Sequence, residues 1–181
     1  FWTLNYQLTA EYQHENALTV MAAILQLRRQ GWNIPDNAVK SGFAGVCTLT
    51  GLAGRWMKLA DSPLTIADTG HNIGGWLHLA PLIAALPKPL TVVLGFADDK
   101  DTLDILRLLP ADADYIATQA DIPRARNAEK LACQLREAGL KARPVAGVKR
   151  AFDEARAQTP AEGAVFVGGS TYVIADLLKL L

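Results

Sequence analysis

From Leu64 onward, short apolar runs rich in β-branched residues alternate with longer segments whose apolar positions recur at helical spacing, and no other feature restricts the fold as much. The pattern predicts strand 64–67, helix 75–86, strand 90–94, helix 101–109, strand 115–118, helix 124–138, strand 142–145, helix 148–158, strand 164–167 and a closing helix over 170–180. Strands and helices alternating at this pitch require right-handed crossovers and a mostly parallel sheet covered on both faces. Just upstream, 56–60 reads as a strand that turns through Asp61-Ser62-Pro63 and pairs antiparallel with 64–67. The expected fold class is therefore α/β, a Rossmann-like doubly wound sheet, mostly parallel, with an antiparallel edge strand and helices on both faces.

The first residues read differently. Trp2 to Leu8 alternates enough for a strand left over from a preceding domain. A helix is expected from about Asn16, with Ala17, Val20, Met21, Ile24 and Leu25 on one face, ending at Arg28-Arg29-Gln30-Gly31. A second, shorter helix over 35–44 carries Pro35 near its first turn. The expected organisation is 1–45 as the end of a preceding domain with linker helices and 46–181 as a separate domain. A start at Phe1 rather than Met fits a piece of a longer polypeptide. Asn16, where the first helix begins, reads as its cap.

Charge narrows the partners. Lys plus Arg and Asp plus Glu both count 18, with no block of one sign, which argues against nucleic acid and against an anionic membrane surface. No apolar run approaches the roughly 20 residues of a membrane span. Cys47 and Cys133 lack metal-ligand spacing, so two reduced, buried thiols in a cytoplasmic protein are expected, with a disulfide left open.

In an open parallel sheet, ligands bind beyond the carboxyl ends of the strands. Four stretches occupy those places: Asp68-Thr69-Gly70-His71-Asn72, Gly95 to Asp101, Thr118 with Pro123-Arg124, and Gly168-Gly169-Ser170-Thr171-Tyr172. Taken singly, these residues are ordinary caps, solvated charges or core aromatics. Taken together, they offer carboxylate, imidazole, ammonium, guanidinium and hydroxyl groups on one edge, a set suited to a carboxylate or phosphate. No Gly-x-x-x-x-Gly-Lys-Ser/Thr, no Gly-x-Gly-x-x-Gly after a strand and no Gly-x-Ser-x-Gly occurs, which argues against an own P-loop, a dinucleotide site and a hydrolase elbow. Asp68, His71 and His78 supply too few facing ligands for a metal site, since His78 falls two turns along the following helix.

Laid out in order, these motifs resemble those of folylpolyglutamate synthases, including the bifunctional dihydrofolate synthase form, within the Mur ligase superfamily. Tyr12-Gln13-His14-Glu15-Asn16-Ala17 resembles the family's His-Gln-x-x-Asn-Ala helix start, Gly54-Arg55 its Pro-Gly-Arg turn and Asp68-Thr69-Gly70-His71-Asn72 its Asp-Gly-Ala-His-Asn signature. Asp99-Lys100-Asp101, Pro123-Arg124-Ala125 and Gly169-Ser170-x-Tyr172 resemble its Asp-Lys-Asp, Pro-Arg-Ala and Gly-Ser-x-Tyr. Departures are Tyr12 for His, Ala53 for Pro, Met57 for Glu and Ile73 for Pro, and Thr69-Gly70 stands where Gly-Ala is usual.

The resemblance implies the C-terminal part of a ligase that uses ATP to phosphorylate a folate carboxylate, after which the amino group of L-glutamate attacks the acyl phosphate. It implies Asn16, Arg55 and Asp68 as ATP-binding, His71 and Lys100 as catalytic, and His71, Lys100, Ser170 and Tyr172 as glutamate-binding. Folate or dihydropteroate would be the co-substrate. The P-loop, most of the folate site and most Mg2+ ligands would lie in an N-terminal ATPase domain in cis, so this piece alone would be inactive and would hold no metal itself. The readings that compete with it are a stand-alone module for a nucleotide or acidic metabolite and another Mur-type ligase domain.

Overall fold

The computed structural model describes residues 3–99 and 102–180, which form two compact units, 1–56 and 57–181. In the first, α1 (Gln13–Arg29) and α2 (Asp36–Thr50) are the only regular elements among the described residues. Helix α1 begins three positions before the expected start, and Asn16 lies inside it, donating Nδ2 to Gln13 Oε1 at 2.9 Å. Asn16 is therefore not its cap. Helix α2 runs past Ala44 through a non-helical Gly45 and ends at Gly51, whose left-handed backbone (φ 70°) lets its N–H reach Cys47 O. Residues 3–8 form no strand. Instead the Gln7 side chain accepts from the backbone N–H of Cys47 and donates to Thr48 Oγ1, pinning an extended segment on α2. The apolar positions of α1 keep helical spacing, yet Leu18 (72% exposed), Val20 and Leu25 stay open to solvent.

The second unit contains β1 (Met57–Asp61), β2 (Leu64–Asp68), α3 (Ile73–Ala84), β3 (Leu90–Leu94), α4 (Leu103–Leu108), β4 (Ala113–Ala117), α5 (Ala128–Glu137), β5 (Lys141–Pro144), α6 (Val148–Gln158), β6 (Ala164–Gly168) and α7 (Thr171–Leu178). Its six-stranded sheet has the order β1-β2-β6-β3-β4-β5, with β1 antiparallel to β2 and every other pair parallel. This is the α/β fold expected from the alternation. Central strands β3 and β6 are buried along their whole length, as strands covered on both faces must be.

Residues alternate between those faces. Val93, Ile116, Val165 and Val167 pack with Ala151, Phe152, Val173, Ile174 and Leu177 of α6 and α7. On the other face, Phe166 meets Trp76 of α3 edge-to-face, with ring centroids 6.2 Å apart. Residue by residue, β6 pairs Gly168 with Asp68 of β2 and with Leu94 of β3, while Leu94 pairs with Ala117 of β4. Four strand ends thus lie level, and the turns that follow them share one edge.

Helix starts moved where a cap outranked the apolar pattern. Asn72 caps α3 by accepting from Gly75 N–H, so the helix begins at Ile73 instead of Gly75. Asn127 caps α5 by accepting from the N–H groups of Glu129 and Lys130, and Arg124 consequently lies in a turn, not in the helix. Helix α4 ends before Leu109, which adopts extended backbone ahead of Pro110. Both cysteines are free, and Cys133 is exposed, not buried. Among the described residues no helix is long and apolar enough to cross a membrane.

Candidate functional site

Beyond the level ends of β2, β3, β4 and β6 lies a cleft of about 340 Å³, lined by His71, Ala97, Asp99, Arg124, Gly169, Ser170, Thr171 and Tyr172. Each wall is built by local chemistry.

The turn after β2 is organised by Asp68, which is 2% exposed and accepts from Gly70 N–H through Oδ1 at 2.8 Å. A side chain at Gly70 would collide with Leu79, because a Cβ there would sit 2.2 Å from Leu79 Cδ1. Trp76 closes the turn from beneath by donating Nε1–H to Gly70 O at 3.2 Å. This leaves His71 exposed at the rim, its Nδ1 3.2 Å from Thr69 O. A carbonyl only accepts, so a hydrogen bond here requires the proton on Nδ1, and in the neutral ring that tautomer leaves the lone pair on Nε2.

The last residue of β6 and the first after it are both glycine for a steric reason. A Cβ on Gly168 would lie 2.8 Å from Asp68 O, and one on Gly169, whose φ is +96°, would lie 2.7 Å from Gly95 O. Only bare backbone allows the strand ends to approach this closely. Ser170 follows as the cap of α7, accepting from Tyr172 N–H through Oγ at 3.1 Å. The start of α7 is the kind of place that favours negative charge, and Ser170 and Thr171 there line the cleft.

Arg124 faces Tyr172 across the cleft, donating Nη2–H to the phenol oxygen, with its guanidinium carbon 4.9 Å from the ring centroid. The loop after β3 supplies Asp99 to the lining. Its neighbour Asp98 accepts from Lys130 Nζ at 2.8 Å, a bond that holds the Asp98 carboxyl below the usual carboxylate range. A guanidinium and a helix start for carboxylate, a carboxylate for an ammonium and an imidazole with an open lone pair together match an amino acid better than a simple anion.

Of the residues singled out from sequence, His71, Ser170 and Tyr172 come together in this cleft. Asp68 lies buried under it, ordering the turn. Lys100 falls outside the described residues. Asn16 lines a separate groove of about 480 Å³ within the first unit, apolar except for Asn16 itself and Gln13, whose buried Nε2 has no hydrogen-bond partner among the described residues. Arg55 is exposed in that same unit. Among the described residues no group of three His, Cys, Asp or Glu side chains is placed to hold a metal ion.

Sequence reasoning placed Arg124 and the stretch holding Asp99 on the polar edge without giving either its own role, and it overlooked Arg126, which is buried beside them. The spacing of Arg124 and Arg126 was the available signal. In an extended segment, residues two apart share a face only if the segment stays regular, and here the turn sends one guanidinium into the cleft and the other into the protein.

No family model matches the chain. It is 31% identical over 169 residues to the dihydrofolate synthase/folylpolyglutamate synthase of Escherichia coli K12, covering 92% of this chain and 37% of that protein. The solved structure of E. coli FolC in complex with DHPP and ADP superposes with a TM-score of 0.81 at 30% identity, over 99% of this chain and 41% of that one. Mycobacterium tuberculosis folylpolyglutamate synthase complexed with ADP and AMPPCP gives a TM-score of 0.82 at 25% identity, over 98% and 41%. The chain spans about two fifths of the length of these relatives.

Proposed function

We infer that this chain, a homologue of the folylpolyglutamate and dihydrofolate synthases over nearly its whole length, is the C-terminal part of a cytoplasmic, ATP-dependent ligase that joins L-glutamate to folate or to dihydropteroate. The observation that carries this reading is the cleft at the level strand ends, where His71, Asp99, Arg124, Ser170 and Tyr172 form a complement to a zwitterionic amino acid.

In this reading Arg124 and the Ser170 start of α7 receive a glutamate carboxylate, and Asp99 receives its ammonium. His71 Nε2 takes a proton from that ammonium, because only the neutral amine carries the lone pair that attacks an acyl phosphate. Lys100 would join them as a cation for carboxylate or phosphoryl charge, as the family resemblance implies. Tyr172 holds the Arg124 guanidinium over the cleft. Asp68 acts by fixing the turn that presents His71, alongside the ATP-binding role implied by the resemblance.

The first unit serves the nucleotide. An apolar groove suits a flat base, and the Asn16 carboxamide that lines it supplies a polar contact for the ring. Arg55 offers a guanidinium for phosphate. Residues 1–45 would be the end of a preceding domain and 46–181 the glutamate-ligase domain. That preceding domain would supply the P-loop, the Mg2+ ligands and most of the folate site, so the isolated chain is expected not to ligate.

The test joins this chain to the portion of the E. coli relative that it does not cover and follows ADP release. Release that requires both a folate substrate and glutamate supports the ligase reading. Tight binding of nucleotide or an acidic metabolite by the 181-residue chain, with no ligation by the fusion, replaces it with a binding module. In an active fusion, Arg55→Ala removes a charge-assisted hydrogen bond of about 1.5 to 3 kcal/mol, raising KM for ATP about tenfold or more. KM for glutamate should stay put. Equal rises in both constants would remove Arg55 from the phosphates.

A further inference from the structure

We propose that Arg126 is the positioning residue of the cleft, a buried guanidinium that clamps the loop after β3 to the loop after β4 and so sets where Asp99 and Arg124 stand. Arg126 is 4% exposed. Its Nη1 donates to Thr102 Oγ1 at 2.5 Å and to Gln134 Oε1 of α5 at 3.1 Å. Its Nη2 donates to the carbonyls of Ala97 at 3.4 Å and Asp98 at 3.5 Å, and Nε lies 3.6 Å from the Asp98 carboxylate.

One side chain therefore grips Asp98 and Thr102, the residues on either side of 99–101. Its backbone continues the clamp: Arg126 N–H donates to Phe96 O at 2.9 Å, and Asp98 N–H donates to Arg124 O at 2.9 Å, on both sides of the Ala97–Ala125 bridge. Arg124 is thereby held in register with Asp98, one residue from Asp99.

A buried cation is costly unless it is paired and hydrogen-bonded, and here carbonyl, hydroxyl and carboxamide acceptors from both loops and from α5 meet Nη1 and Nη2, while the Asp98 carboxylate supplies the opposite charge beside Nε without a hydrogen bond to it. Lysine keeps the charge but lacks the planar fork that reaches several acceptors at once. The structural half of the proposal stands by itself. The kinetic half rests on the ligase reading, since it concerns glutamate.

Two variants test it, Arg126→Lys and Thr102→Val, the second removing one buried acceptor without changing shape. In the 181-residue chain, backbone amides at 96–98 and at Thr102 and Leu103 should exchange hydrogen about tenfold faster, while those of α6 keep their wild-type rates. In the fusion with the E. coli portion, KM for glutamate should rise about tenfold to a hundredfold, with KM for ATP unchanged, because misplacing a binding group by about 1 Å costs that much. Unchanged exchange and unchanged glutamate KM in both variants overturn the proposal. So does a uniform fall across glutamate, ATP and turnover, the mark of a merely structural residue. If Arg126→Lys fails to fold, Thr102→Val decides alone. If exchange accelerates as expected but the wild-type fusion never ligates, the clamp stands and the ligase reading falls.

Discussion

Trp76→Ala should lower the unfolding free energy of the second unit by about 3 to 5 kcal/mol, the usual cost of deleting a fully buried aromatic side chain. Trp76 is 0% exposed and sits between two aromatic neighbours, Phe96 and Phe166, each with its ring centroid 6.2 Å away. The main chain of both neighbours is fixed, Phe166 by sheet pairing on both sides and Phe96 by the hydrogen bond its carbonyl accepts from Arg126 N–H, which limits how far the backbone can collapse into the space. The indole also donates to Gly70 O, so its removal leaves a carbonyl of the His71 turn without that donor. Since small domains are stable by only about 5 to 15 kcal/mol, the variant should unfold at much lower urea, read by circular dichroism. Trp76→Phe separates the two contributions. It keeps most of the apolar contact and loses the N–H, so it should cost about 1 to 3 kcal/mol. A Trp76→Ala loss under about 1 kcal/mol would mean that α3 does not seal this face of the sheet as described.

His71→Ala should do the opposite, leaving stability alone and removing chemistry. In the fusion, turnover should fall by about 10² to 10⁴, the range for loss of a positioned general base. The imidazole is exposed and its hydrogen-bond contact is to a carbonyl two residues away, so the urea midpoint of the 181-residue chain should shift by less than about 0.5 kcal/mol. His71→Asn sharpens the result, because a carboxamide can still donate to Thr69 O but offers no basic nitrogen. Slow turnover in both variants with an unchanged KM for ATP is the expected pattern. Near-normal turnover in either would remove His71 from the proton transfer and leave the cleft a binding site only.

Much of the fold was legible in sequence because each element has its own period. Ala164 to Val167 is apolar at every position and Leu90 to Leu94 at every position but Thr91, as suits strands covered on both faces, and the intervening segments repeat at helical spacing. Glycines and polar residues at the strand ends also pointed to one edge as the site, because a parallel sheet leaves its loops there. Boundaries were less legible. Asn72 and Asn127 start α3 and α5 by hydrogen bonds to specific backbone N–H groups, which outweigh the apolar pattern around them. In the first unit, the helical spacing of α1 predicted a covered apolar face, whereas Leu18, Val20 and Leu25 remain exposed.

What the sequence alone determined was therefore local and periodic: which segments become strands or helices, the parallel character of the sheet and the residue types gathered at its carboxyl edge. The insertion of β6 between β2 and β3 comes from packing in three dimensions, for nothing in a crossover segment encodes how many strands it passes over. That insertion brings Gly168 level with both Asp68 and Leu94, and so places Ser170 and Tyr172 beside His71 and Arg124. Packing likewise decides that Arg124 lines the cleft while Arg126, two residues on, is buried as its clamp. Burial and the convergence of hydrogen-bond partners arise from segments far apart in the chain, and a one-dimensional pattern carries no record of which distant acceptors will meet a given guanidinium.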